Sequence, residues 1–472
     1  MNGRIKGGLL AAVAVLLVLD AVAVFTINPS SGSSAAKAVK PPKQWDSRVA
    51  ALATFVEDTR HLRFDHPVKI SYLSPPAYRK RILGDSGGPT AQEKADIKRF
   101  TAQMRALGLV DKKTDLLKDV NQLESEGTDA FYDPETEDIV VFGTKIDVAT
   151  RVTLVHEMTH ALQDQHFNLS RTFRSDGADS LYQALTEGDA TRVENAYIDK
   201  LSDADNKAYE DSFNDPSDQH GSLANVAPTL EQLFGAPYVL GEPMTTLFEK
   251  VKGTPGLDEL FRHPIASDEG MLNIFSLLDA DKPKHVSTPK LVAGEKRSED
   301  ASSFGTLAWY LMLASHVDER VALRAVDGWG GDAAIGYRKD GRECIRVAYI
   351  GDTPQDVTEM RAALDEWKTA FSPDRVSVVG DPTRVEVSAC EPDVIPAPRA
   401  GSDQSLVLPV SRLQFLQGAY SQGATRPLAE CLSREFLNQV TVDALLKADD
   451  DATDFTREAR GMAQVCARER AA

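Results

Sequence analysis

His156-Glu157-Met158-Thr159-His160 restricts the fold of this 472-residue chain more than any other segment. The pattern H-E-x-x-H has its chemical meaning on a helix, where residues four apart lie on one face, one turn above each other. His156 and His160 then present two imidazole nitrogens to one Zn²⁺, and Glu157 stands beside the first ligand as a base for a zinc-bound water. The chain holds only nine histidines, so two at this spacing around a glutamate carry weight. A buried helix with ordinary hydrogen-bonded histidines is the plainer alternative, and it explains one histidine better than two.

The local sequence supports the helix. Asp147 is a suitable N-cap, and no Pro or Gly occurs from there until after Phe167. Val148, Val152, Val155, Thr159 and Leu162 recur at helical spacing.

A catalytic zinc needs a third protein ligand and an open position for water. Two residues compete for that role. His166 stands where the metzincin pattern H-E-x-x-H-x-x-G-x-x-H places its third histidine, but Gln163 occupies the glycine position. Without the glycine turn, a continuing helix rotates His166 by about 240° from His160, away from the ion. Its alternative role is capping or packing at the helix end. Glu187 lies in a second helical pattern, Asp179–Leu201, with Leu181, Leu185, Val193 and Tyr197 on one side. Gly188 beside it disfavours helix and suggests a close approach to the motif helix. Glu187 is the favoured ligand; otherwise it is one of many solvated acids.

His-Glu-Met-Thr-His-Ala-Leu-Gln-Asp-Gln-His-Phe (156–167), followed by Thr-Glu-Gly-Asp-Ala (186–190), resembles the gluzincin group of zinc metallopeptidases. It is similar to a bacterial branch whose active helix reads H-E-x-x-H-A-L-Q-D-Q-H-F. The resemblance covers about Phe55–Leu201. It implies a zincin-like α+β core, a small sheet plus an active-site helix pair. It also implies zinc on His156, His160 and Glu187, with Glu157 as general base and a peptide or protein as substrate. In that group the strand entering the motif helix lies at the sheet edge and lines the substrate cleft. Thermolysin-like members carry an aspartate four residues after the glutamate ligand to orient a histidine; here that position is Thr191, leaving Asp189 or Glu194 for the contact. Such sites often use a Tyr or His from outside the motif as oxyanion donor, for which Tyr238 and His263 are the candidates.

The flanking segments suit such a core. Trp45–Leu62 has helical apolar spacing, Val68–Tyr72 alternates like a strand, and Ala91–Leu107 reads as a helix. Ala130–Tyr132 and Ile139–Phe142 flank an Asp133-Pro134 turn signal, which predicts a hairpin before the motif helix.

Arg4 and Lys6 precede an apolar run from Gly7 to Val24, broken by Asp20. Residues 1–27 are therefore expected to be a cleaved signal peptide or, with a slight preference, a membrane anchor. Residues 28–43 read as a linker. The bulk of the chain is then exported: outside the cell membrane on a single span, or secreted after cleavage. Four cysteines, all in the C-terminal third, agree with export. The favoured pairs are Cys344–Cys390, between strand-like segments, and Cys431–Cys466, between helices. A net charge of −18 argues against a nucleic-acid partner.

Ser202–Ser222 reads as a surface excursion, and Gly328–Asp332 as a turn before a strand-like Ala333–Tyr337. Strands at Cys344–Ile350 and Arg384–Cys390 around a helix at Pro354–Phe371 continue an α+β pattern. The domain expectation is a zincin-like unit over 44–290, an α+β continuation or second domain over 291–400, and a helical region over 401–472. The functional expectation is an exported zinc metallopeptidase. The competing one is a non-catalytic, membrane-anchored envelope protein with a structural zinc.

Overall fold

A computed structural model describes residues 40–83, 90–119, 130–173, 176–212, 226–448 and 452–469. The expected signal peptide or anchor, and most of the linker after it, lie outside the described residues. Among the described residues no helix is long and apolar enough to cross a membrane.

The first half is built around a three-stranded sheet. Its elements in order are α1 (Ala50–Arg60), β1 (Lys69–Leu73), α2 (Pro75–Leu83), α3 (Ala91–Ala106), β2 (Ala130–Asp133), β3 (Asp138–Phe142), α4 (Val148–Phe167) and α5 (Asp176–Ile198). The strand order is β1-β3-β2. β1 runs parallel to β3, with Tyr72 opposite Val141. β2 folds back on β3 as the expected hairpin, with Tyr132 opposite Ile139. Asp133 makes the turn: its carboxylate accepts the N–H groups of Glu135 at 2.9 Å and Thr136 at 3.2 Å.

The period-2 alternation of the strands divides their side chains between two layers. Ala130, Tyr132, Ile139 and Val141 face a small core with Leu52 and Val56 of α1 and Leu154, Val155, Met158 and Leu162 of α4. On the other face, Tyr78 of α2 packs edge-on against Phe131 and Phe142. One expectation is corrected. β3, which leads into the motif helix, is the central strand, because β1 and β2 flank it. β1 and β2 are the two edge strands.

The chain continues through α6 (Asp203–Ser212), α7 (Pro228–Arg262) and α8 (Ile274–Asp279). The expected surface excursion is a helix in its first part, and α6 has no buried side chain. Tyr238 lies in α7, a long helix kinked at Gly253, and His263 is its C-cap.

The second half holds β4 (Lys296–Arg297), α9 (Thr306–Ala314), α10 (Glu319–Asp327), β5 (Trp329–Lys339), β6 (Arg342–Gly351), α11 (Pro354–Trp367), β7 (Val376–Asp381) and β8 (Arg384–Cys390). Its sheet has the order β4-β5-β6-β8-β7, antiparallel throughout. β5 begins at Trp329, inside the segment expected to be a turn. Gly331, at φ 151, lets the strand pass a bulge there, where a Cβ would lie 2.5 Å from the Lys284 carbonyl. Last come α12 (Val407–Ser421), α13 (Arg426–Gln439), α14 (Val442–Ala448) and α15 (Ala452–Glu469). Both expected disulfides are present: Cys344–Cys390 joins register partners on β6 and β8, and Cys431–Cys466 ties α13 to α15.

A second, larger core runs from Met104 to Cys466 and includes residues of α5, α7, the five-stranded sheet and the C-terminal helices. The described residues of 291–400 and 401–472 therefore share most of their apolar packing with α5 and α7, apart from a small cluster of Val286, Ala333 and Ala348. The fold is α+β, and α5 contributes to both cores.

The crossing of α5 and α7 fixes where Glu187 sits. At Gly188 an added Cβ would lie 2.1 Å from the Gly241 carbonyl oxygen and 2.5 Å from Thr245 Oγ1. Gly188→Ala gains helix propensity of up to about 1 kcal/mol. It must also push apart two packed backbones, at about 1–3 kcal/mol. The expected net result is a lower denaturation midpoint; an unchanged or raised midpoint would mean that the crossing is not tight.

Candidate metal centre

α4 is set by its ends. Asp147 caps it through Thr150 N–H at 3.1 Å, and Asn168 closes it at φ 59. Its sheet-facing residues bury one side, which turns His156 and His160 toward α5. Their ring centroids are 4.6 Å apart. α5 brings Glu187 across both: Glu187 Oε2 is 3.2 Å from His156 Nε2 and 3.4 Å from His160 Nε2. Among the described residues, these three buried side chains form the one group of His, Cys, Asp or Glu whose ligand atoms all lie within 4.8 Å of one another.

Two nitrogens and one carboxylate oxygen match the donor set of a catalytic zinc. A further observation fits a cation. Glu187 Oε1 is buried with no hydrogen-bond partner, a costly position for a carboxylate oxygen. Burial works against the charge on Glu187, but the His160 and His156 rings outweigh it and hold the carboxyl well below its usual range. For His156, burial opposes protonation, and the Glu187 and Glu194 carboxylates overcome it and raise the pKa. The group is thus arranged to concentrate positive charge.

Outer contacts aim both rings. His156 Nδ1 lies 2.9 Å from Glu194 Oε2, a carboxylate that accepts, so Nδ1 donates. His160 Nδ1 lies 3.0 Å from Gln163 Oε1. The Gln163 amide is fixed in that orientation because its nitrogen donates to two acceptors, Thr186 O and Asp189 Oδ2, both at 3.0 Å. Each ring, when neutral, therefore keeps its proton on Nδ1 and turns the Nε2 lone pair inward. Glu194 contacts His156 directly, whereas Asp189 reaches His160 only through Gln163.

Glu157 is buried and points toward the sheet edge. Its Oε2 accepts the N–H of Tyr132, on β2, at 2.7 Å. Burial raises its pKa, against the pull of His160 and His156. Tyr132 also anchors α4 through its hydroxyl, which donates to Asp164 at 2.8 Å.

His166 Nε2 meets the Arg63 carbonyl at 2.8 Å, near the surface, outside the three-residue group. Tyr238 is buried in α7. His263 caps the end of α7 with its side chain 76% exposed, 3.7 Å from Glu259. Sequence reading assigned no role to Tyr132, and treated Gln163 only as a missing glycine. Gln163 lies three residues after His160 on the same helix, which was a usable signal. Tyr132 had none, since its contact with Glu157 is through a backbone N–H. No family model, curated protein or solved structure matches this chain.

Proposed function

We propose that the chain is a zinc-dependent metallopeptidase, with His156, His160 and Glu187 as the ligands and Glu157 as the proton carrier. The observation that carries this reading is the meeting of the three ligand atoms within 4.8 Å, with Glu157 on the same helix held at the sheet edge. A zinc ion held there supplies Lewis acidity, lowering the pKa of water and polarising a peptide carbonyl. Glu157 accepts a proton from the attacking water and returns it to the leaving amine. The Tyr132 N–H keeps that carboxylate in place while its protonation changes. A peptide in extended form adds its main chain at the outer edge of β2, beside Glu157.

A structural zinc on an anchored, non-catalytic envelope protein is the alternative. The deep burial of all three ligands favours it. Closed structural sites use four protein ligands, however, and among the described residues this group has three. The two disulfides fit an oxidising compartment and hence export, with residues 1–27 as anchor or signal.

Purified protein incubated with a diverse peptide library should cleave it, lose activity to a chelator, and recover it with zinc. Protein that retains one zinc per chain yet cleaves nothing would favour the structural role.

A further inference from the structure

Asp189 lies on α5 two positions after Glu187, and its side chain is 0% exposed. A carboxylate there must be fully paired. Arg60, the last residue of α1 and also 0% exposed, donates Nε to Asp189 Oδ2 at 2.6 Å and Nη2 to Asp258 Oδ1 of α7 at 2.6 Å. Arg192 donates to the other oxygen, Oδ1, at 2.8 Å. The Arg60 guanidinium lies 6.0 Å from the Phe167 ring centroid and 5.8 Å from that of Phe261. With two guanidiniums and the Gln163 amide donating to its oxygens, the Asp189 carboxylate acts as an acceptor.

The oxygen that Arg60 holds is the one that receives the Gln163 amide. We propose that Arg60 is a positioning residue for the metal centre, acting through Asp189 and Gln163 to hold His160 with its proton on Nδ1 and Nε2 directed at the ion. The inference rests on the metal-site reading. It adds that docking of α1, the first described helix and distant in sequence from the motif, sets the affinity of the site. Arg192 pairs with Oδ1 and does not touch Gln163, so it lies outside the relay.

The test is a double-mutant cycle in zinc affinity, measured on full-length protein by competition with a chromogenic chelator. Gln163→Met keeps the length of the side chain but removes the acceptor for His160, and should weaken zinc binding about 10–100-fold. Arg60→Met should weaken it about 10-fold in the wild-type background and no further in the Gln163→Met background. Losses that multiply, or an Arg60 variant that binds like wild type, overturn the relay. If Arg60→Met does not fold, Arg60→Lys takes its place, since it keeps the charge but loses the fork that bridges both carboxylates.

A second readout separates positioning from general weakening. In zinc-loaded wild type the His160 Nδ1–H should give a slowly exchanging, downfield NMR resonance, lost in Gln163→Met. Retention of that resonance in the variant overturns the proposal. Hydrolysis is not read, so zinc binding without cleavage counts against the peptidase alone, and a wild-type chain that takes up no zinc sinks both.

Discussion

Glu157→Gln should abolish peptide hydrolysis while leaving zinc content unchanged. The substitution is nearly isosteric, and its amide oxygen still accepts the Tyr132 N–H that holds Glu157 at 2.7 Å. The side chain therefore stays where it is. What is lost is the ability to take a proton, because a neutral amide is not a base at any relevant pH. Positioned proton transfer contributes about 10²–10⁴ in rate, so the variant should fall at least that far in kcat. The ligands are untouched, and zinc per chain after dialysis should match wild type. Near-wild-type turnover in metal-replete Glu157→Gln would remove Glu157 from the mechanism.

The motif helix was legible because its evidence is local. Two histidines at one-turn spacing, an N-capping Asp147 and an unbroken apolar stripe all describe the same twenty-residue element. Glu187 was legible one step further out, since Gly188 beside it marked a close helix approach; that approach is to Gly241 of α7, however, and not to the motif helix as expected. α7 was hidden by its own composition. Pro237, Pro243 and Pro255 each disfavour a helix interior, and Gly253 breaks it. Pro255 follows directly on that break, in a first turn where no N–H is needed. The others are tolerated in a helix packed along the length of α5. The strand β7 was missed because its outer residues, including Val379, are exposed and give no buried face to recognise.

The outer contacts of the site were the least legible, for a physical reason. The Arg60–Asp189 pair joins residues 129 positions apart. In sequence, Arg60 is an ordinary basic residue at a helix end, and although Asp189 stood out with Glu194 as an outer contact, nothing paired it with Arg60. Only tertiary packing makes them a buried, desolvated pair. Motif spacing reveals which atoms can ligate. It does not reveal what holds those atoms still.

Glu187→Ala should strip zinc from the protein, whereas His166→Ala should leave metal content nearly unchanged. His166 continues along α4 past Gln163 and ends near the surface at the Arg63 carbonyl. Removing its ring costs one exposed hydrogen bond. Glu187 arrives on a separate helix and touches both histidine Nε2 atoms. Without it two histidines remain, too few for a stable catalytic site. Glu187→Gln is the companion variant: it keeps the shape and so the α4–α5 packing, but it removes the negative charge that a divalent ion requires. It should lose zinc nearly as fully as Glu187→Ala. That agreement would exclude a packing defect as the cause. The measurement is zinc per chain after dialysis against a competing chelator at neutral pH. Zinc loss in His166→Ala with retention in Glu187→Ala would reverse the assignment. It would require α4 to bend at Gln163 so that His166 returns to the ion.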